Sequence, residues 1–166
     1  MNDTDRARWE AVEEAVELLH EDRIDDALPL LRAAVEKDPG NVYAHFHLGT
    51  ALAGQGKHGP ALAALTEAER REPAYLGAVI ARMWVLHDMD RFAEAARAGE
   101  RALSLRAEDA DALWGLAVVY AELGERAKAL DCVERFLKTN PTVEARHEAE
   151  ALRSTLWGKA KPLASE

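Results

Sequence analysis

The sequence has few of several residue types, and each shortage excludes a class of protein. Cys132 is the only cysteine, so the chain can form neither an intrachain disulfide nor a cysteine-based zinc site. No apolar run approaches the roughly 18 residues that a membrane span needs. There is no run of Lys or Arg, and an excess of Asp and Glu gives a formal net charge of -9. A surface of this charge repels phosphate backbones, which disfavours nucleic-acid binding.

Sequence patterns of catalysis and cofactor binding are also missing. The chain has no Gly-rich phosphate loop, no G-x-S-x-G and no H-E-x-x-H. His45 and His47 are two residues apart and would point to different faces of a helix, which makes them poor metal partners. Cys132 falls on a predicted helix in a column that is typically outward or lateral, and we predict a passive thiol. We therefore expect no enzyme, no cofactor and no metal.

The two ends of the sequence bear on location. The first residues lack the basic and then apolar pattern of a signal peptide, so the predicted location is the cytoplasm. The Ala-, Leu- and Arg-rich composition favours a bacterial source. Residues 158–166 show no periodicity and are predicted to be a flexible tail.

What the sequence does have is a repeat of 34 residues. Small residues, helix-ending residues and large apolar residues each recur at this step. The three columns are Ala27, Ala61, Ala95 and Ala129; Asp22, Gly56, Asp90 and Gly124; and Leu18, Leu52, Leu86 and Tyr120. Several columns in one register indicate a true repeat.

Each repeat is predicted to be a pair of helices. Apolar residues at three- and four-residue spacing predict first helices over 5–20, 42–55, 76–89 and 110–122, and second helices over 25–37, 59–72, 93–105 and 127–139. Gly or Asp ends each first helix, and Pro follows three of the second helices. A last amphipathic helix over 143–157 fits the role of a cap. The alanine column allows the paired helices to approach closely.

This register resembles the tetratricopeptide repeat (TPR) family. The best copy is Val42–Tyr75, with Leu48-Gly49, Leu52, Gly56, Ala61, Leu65, Ala68 and Pro73 at the family's positions. The resemblance covers residues 8–143 in four copies. It implies an all-α fold, a right-handed α-solenoid of four helix pairs with a C-terminal capping helix, and we expect one domain over 1–157. It also implies a scaffold that binds other proteins.

In the family, the first helices line a concave groove where peptides lie. The groove positions of this chain hold five of its ten Phe, Tyr and Trp residues, and an exposed apolar strip of this kind calls for a partner. We predict a groove that binds an apolar or aromatic segment of another protein. Its residues are Trp9, Val12, Val16, Tyr43, Phe46, Thr50, Ile80, Trp84, His87, Trp114 and Val118.

Several alternatives remain open at this point. The groove could hold the protein's own tail or a second copy, and a slipped register would turn the rings into ordinary core. The protein could be a secretion-type chaperone for apolar cargo or a self-assembling scaffold. The few polar groups near the groove lean acidic, which fits either a ligand with some Lys or Arg or simple solvation. Family members that grip a C-terminal carboxylate use a Lys and an Asn of their first repeat, together with further basic groups. The position of the Lys holds Val12, Phe46, Ile80 and Trp114 in the four repeats here, and that of the Asn holds Val16, Thr50, Trp84 and Val118, so we exclude that function.

Overall fold

The computed structural model describes residues 2–158, and this part of the chain is helical with no strand. The chain divides into two compact units with the boundary between Met89 and Asp90. The prediction of one domain over 1–157 stays a prediction. Unit 1 contains α1 (Asp3–Glu10), α2 (Glu13–His20), α3 (Ile24–Lys37), α4 (Val42–Gly54), α5 (His58–Arg71) and α6 (Leu76–Asp88). Unit 2 contains α7 (Phe92–Leu105), α8 (Ala110–Glu122), α9 (Arg126–Lys138) and α10 (Val143–Gly158).

The turns after the first helices repeat with the sequence. Asp22, Gly56, Asp90 and Gly124 all have a positive φ, at 59°, 70°, 57° and 72°. Three of these turns share a hydrogen bond that closes the helix. The residue that follows the positive-φ residue donates its N–H to a carbonyl in the last turn of the helix, as Lys57 donates to the Leu52 carbonyl at 2.9 Å. This closes the helix with the left-handed residue that Gly supplies at no steric cost and Asp tolerates. The predicted helix-ending column is therefore a column of left-handed turns.

The alanine column lies at the helix–helix contacts. Ala27, Ala61, Ala95 and Ala129 are each 0% exposed. In unit 1, Ala27 and Ala61 belong to one core cluster with Leu28, Leu31 and Leu65. A larger side chain in this column would push the paired helices apart, because interiors have few voids to receive it.

Unit 2 is a succession of helices that pack on their neighbours in the chain. Val119, Leu116 and Val133 are almost fully buried where α8 and α9 meet. The predicted capping helix is present as α10, which packs on α9 and buries Ala149 and Leu156.

The structure differs from the predicted elements at three places. The helix expected over 5–20 is broken at Ala11 and Val12 into α1 and α2. The helix expected over 59–72 begins one residue earlier, at His58, so Pro60 is its third residue and still lies in the first turn, where no backbone donor is needed. Gly158 ends α10, and the other residues of the predicted tail, 159–166, lie outside the described residues.

Candidate protein-binding surface

The first helices of unit 1 differ in composition from the second helices. No Asp, Glu, Lys or Arg occurs in α4, and α6 has only Arg82 and Asp88. The second helices α3 and α5, in contrast, carry charges along their length. Charged residues are normally abundant on exposed helix faces, so their scarcity on α4 and α6 sets the first-helix side apart from an ordinary solvated surface.

Aromatic rings connect the first helices of three consecutive repeats in unit 1. We call this set the ring row: Trp9 on α1, Tyr43, Phe46 and His47 on α4, and Tyr75 at the start of α6. Trp9 meets Tyr43 edge-on at 5.7 Å between ring centroids, and Tyr43 meets Tyr75 at 6.1 Å. Phe46 lies 5.1 Å from Tyr75 and 4.8 Å from His47. Edge-to-face contacts of this kind hold each ring in a fixed orientation.

The ring row is half-buried rather than hidden. All five of its side chains keep intermediate exposure, and Trp9, Tyr43, Phe46 and Tyr75 also pack against the core below them. Phe46 contributes to two core clusters, and it also lies 3.5 Å from the place where a Cβ on Gly77 would stand. Each ring therefore stabilises the unit with its buried part, and its exposed part is free to contact a partner.

A polar contact positions Trp9 beside α4. Asn41 caps α4 by accepting from the Ala44 N–H at 3.1 Å, and its Nδ2 donates to the Arg8 carbonyl at 2.9 Å. The Arg8 guanidinium donates to Asp38 at 2.8 Å and holds the pKa of that carboxyl below its usual range. Both ends of Arg8 are thus tied to the loop before α4, which fixes the neighbouring Trp9.

Three further predicted site residues lie on α6. Ile80, Trp84 and His87 follow one another at four and three residues, so they share one face of the helix. All three have intermediate exposure, and Trp84 meets the His87 ring edge-on at 5.7 Å. Thr50 of α4 is likewise half-exposed and donates its hydroxyl to the His47 carbonyl at 3.0 Å.

Val12 and Val16 do not share this exposure. They are 1% and 8% exposed and belong to the core cluster of unit 1 with Leu31. The reason is the break before α2, after which the apolar face of α2 packs on α3. Their predicted place in a groove is therefore not one that a partner reaches in this conformation.

The remaining predicted site residues, Trp114 and Val118, lie on α8 in unit 2. Both have intermediate exposure. The Trp114 ring lies 5.4 Å from the buried ring of Phe136 with a tilt of 36°. Trp114 is thus supported from below by the second helix of its own repeat.

Two members of the ring row are absent from the predicted site residues, although His47 is among the polar groups predicted to lie near the groove. Tyr75 precedes α6 and so falls outside the helical spacing that selected the other residues. His47 lies one residue after Phe46, where helical spacing alone assigns it to a neighbouring face. The signal that could have found both is the number of ring side chains in the repeat Val42–Tyr75, which lie near its start and at its last residue.

His47 is expected to make unfolding sensitive to pH. Burial, with a smaller effect of His20, lowers the pKa of His47 to about 4. The unfolded chain, with an ordinary pKa near 6.5, binds this proton first as the pH falls, so stability present above about pH 6.5 is lost by about pH 4. We expect a loss of roughly 2 kcal/mol from this group, less than the full shift implies because the ring is partly exposed.

Urea unfolding at several pH values checks this expectation. His47→Phe keeps a ring at the site but does not titrate, so its free energy of unfolding should fall less than that of the wild type over this range. Subtracting the two curves removes the contribution of every other titrating group. Parallel curves for the two proteins would contradict the placement of His47.

Cys132 lies inside the protein. It is 4% exposed, which corrects the outward or lateral placement predicted for its column. The reason is that its face of α9 meets α8 beside Tyr120 and Leu116, where a small cavity of about 360 Å³ also opens. Burial raises the pKa of the Cys132 thiol to about 11, which disfavours the reactive thiolate.

No group of three or more His, Cys, Asp or Glu side chains between residues 2 and 158 could hold a metal ion. His45 is buried, and its Nε2 lies 3.0 Å from the Pro39 carbonyl. No helix in the described part of the chain is long and apolar enough to cross a membrane.

Comparison with known families decides what kind of surface this is. Two family models described as tetratricopeptide repeat match the sequence, one over residues 12–75 and the other over residues 86–153. Together they take in most of the chain. The chain belongs to the tetratricopeptide repeat family. The family predicted from the sequence and the predicted all-α solenoid fold are therefore confirmed. Proteins of this family are typically protein-interaction scaffolds without enzymatic activity.

Solved structures support the same fold. A thermophilic TPR protein of Thermus thermophilus is 23% identical, with a TM-score of 0.76 over 92% of this chain and 82% of that one. MamA of Desulfovibrio magneticus RS-1, from residue 41 to its end, is 16% identical, with a TM-score of 0.74 over 96% and 94%. A TPR protein of Parabacteroides merdae is 22% identical, with a TM-score of 0.76 over 93% and 61%. No curated protein matches the sequence.

Proposed function

We propose that this TPR protein is an interaction scaffold whose first-helix side in unit 1 binds an apolar or aromatic segment of another protein. The contact surface is the ring row together with Thr50, Ile80, Trp84 and His87. Trp114 and Val118 are proposed as a second contact surface in unit 2. The proposed ligand is a peptide segment, either extended or helical, because TPR arrays typically bind other proteins.

The single observation that carries this proposal is the half-burial of the ring row, of which Tyr43, Phe46 and His47 lie on α4, a helix with no charged residue. Rings that are held rigid by their neighbours lose little conformational freedom when a partner covers them. Aromatic side chains of this kind often dominate the energetics of protein interfaces. A partner would also remove from water the apolar surface that these rings leave exposed.

The test compares tryptophans that differ only in place. Trp84→Ala should weaken binding of a selected peptide at least about tenfold, since a buried aromatic contact is commonly worth more than about 1.4 kcal/mol. Trp157→Ala is the matched control, because Trp157 is 61% exposed at the end of α10 and has no place in the proposed surface. Fluorescence anisotropy with a labelled peptide measures both affinities.

Removal of a half-buried ring can also loosen the fold, so a second variant adds bulk instead. Thr50→Arg places a long charged side chain on the surface of α4 without removing any core atom. Circular dichroism should show unchanged helix content for Thr50→Arg, with binding lost. Full binding by both Trp84→Ala and Thr50→Arg would overturn the proposed surface, whereas unfolding of Trp84→Ala would leave Thr50→Arg to decide.

The other roles predicted from the sequence use the same surface with a different occupant. A secretion-type chaperone would hold an apolar cargo segment there, and a self-assembling scaffold would hold a helix of a second copy. Light scattering over a range of concentrations separates the second case, since a strict monomer excludes it. A cytoplasmic location and a bacterial source stay predictions from the sequence alone.

A further inference from the structure

The charges of α1 and α2 are mostly acidic. Residues 3–20, which contain α1 and α2, carry six carboxylates and two arginines. No lysine occurs in α1, α2, α4 or α6. The Lys and Arg side chains on these helices are therefore three arginines, Arg6, Arg8 and Arg82.

The arginines on these helices are already paired. Arg8 lies 2.8 Å from Asp38, and Arg82 of α6 lies 2.7 Å from Glu69, with both members of the second pair largely buried. Arg6 lies 4.0 Å from Asp3. These guanidinium groups have local carboxylate partners, which leaves the other acids of α1 and α2 to set the sign of the potential.

Several of those acids lie on the same side as the rings. Leu19 packs on the same core cluster as Trp9 and Phe46, and the neighbouring His20 contributes to the low pKa of His47, so this part of α2 lies near the ring row. Glu17 and Glu13 precede His20 by three and seven residues and so extend along the same face of α2. Both side chains are exposed, and no described residue forms an ion pair with either.

Acids are present at both ends of the surface. Asp5 lies one helical turn before Trp9 and is half-exposed. On α6, the Asp88 carboxylate lies 3.3 Å from His87 Nδ1, and His87 in turn meets the Trp84 ring. The exposed rings are thus accompanied by carboxylates on α1, α2 and α6.

We propose that the segment bound by the ring row is cationic, carrying Arg or Lys next to its apolar or aromatic residues. This inference rests on the proposed function and adds the charge of the partner. Arginine suits the surface better than lysine, because a guanidinium stacks on Trp and Tyr rings and binds carboxylates through two donors. An acidic segment would instead meet like charges on α1, on α2 and at the end of α6.

A random-peptide phage library panned on the full chain selects binding segments from all compositions alike. The expected peptides share an aromatic or large aliphatic residue with Arg or Lys close to it. A synthetic copy with its basic residues changed to Glu should bind at least about tenfold more weakly, and affinity of the original should fall as NaCl is raised from about 50 mM to about 500 mM.

Charge-reversal variants then assign the effect to this surface. Glu13→Lys and Glu17→Lys should each weaken the basic peptide roughly threefold to tenfold, mainly through slower association. Glu36→Lys changes the net charge by the same amount on the outer face of α3 and should change affinity less than about twofold. All three residues are exposed, so the variants should fold as the wild type does.

The outcomes separate this inference from the proposed function. If the recovered peptides are apolar but neutral or acidic, and Trp84→Ala still abolishes their binding, the surface binds peptides and the cationic partner is wrong. Equal effects of Glu13→Lys, Glu17→Lys and Glu36→Lys would also overturn it, since net charge alone would then explain the result. If no peptide is recovered under any condition, the proposed function fails and the inference fails with it.

Discussion

Gly49→Val should destabilise the protein by about 3 kcal/mol, because overpacking in a rigid core outweighs the small gain in helix propensity of Val over Gly. A Cβ at Gly49 would lie 2.6 Å from Leu65 Cγ, 2.8 Å from its Cδ2 and 3.3 Å from the Ala61 carbonyl oxygen. Leu65 is fully buried, so its branch point has no space to move into. The helices α4 and α5 would have to separate.

Gly158→Val is the matched control for this substitution. A Cβ at Gly158 meets nothing within 4 Å, and the residue is exposed at the end of α10. Its expected effect is within about 1 kcal/mol, the size of helix propensity differences. Urea unfolding gives both values. Equal losses for the two variants would show that α4 and α5 do not approach as closely as the structure has them.

A double-mutant cycle sharpens the same test. Leu65→Ala alone should cost about 3 kcal/mol through the cavity that it leaves. In the Gly49→Val background it should cost clearly less, because the shortened side chain makes room for the new methyl groups. Additive losses in the cycle would mean that the two residues do not touch.

Asn41→Ala should destabilise unit 1 by roughly 2 to 3 kcal/mol, the combined effect of a lost helix cap and an unpaired buried carbonyl. Asn41 is 1% exposed and makes two hydrogen bonds at once, one to the first turn of α4 and one to Arg8 of α1. The effect should also reach the ring row, because α1 is held beside α4 in part through this contact. Trp9 fluorescence should shift to the red as its ring becomes more exposed.

Two further variants show which contact of Asn41 causes the loss of stability. Asn2→Ala removes the exposed cap of α1, whose Oδ1 accepts from the Asp5 N–H at 2.8 Å, and should cost less than about 1 kcal/mol. Asn41→Asp keeps the cap on α4 but cannot donate to Arg8, so it should lie between Asn41→Ala and the wild type unless burial of its charge outweighs the cap. Equal losses for Asn2→Ala and Asn41→Ala would show that the contact with Arg8 contributes nothing.

Most of the fold could be predicted because the residues that end the helices recur at fixed positions of the repeat. From α3 to α10 every predicted boundary is within one residue of the structure. Gly56 and Gly124 mark turns that need a left-handed residue, and Asp22 and Asp90 fill the same places with the same backbone. A residue type that is required by backbone geometry at a fixed step is a strong signal even in a single sequence.

What could not be predicted depends on contacts between residues that are distant in sequence. Ala11 and Val12 continue the apolar helical spacing, and neither is a Gly or a Pro. The local sequence therefore contains no signal for the break before α2. The burial of Cys132 follows from how α9 meets α8, and the low pKa of His47 follows from the rings around it. The spacing of apolar residues along one helix does not show which residues of other helices will pack against it.

The central claim is that a partner covers the ring row, and the indole N–H signals of the tryptophans test it most directly. The chain has four tryptophans, so a ¹⁵N-labelled sample gives four indole peaks that report separately on unit 1, unit 2 and the end of α10. Titration with a selected peptide should shift the peaks of Trp9 and Trp84 and leave that of Trp157 in place. A peptide that binds with full affinity while the Trp9 and Trp84 peaks stay unmoved would contradict the account.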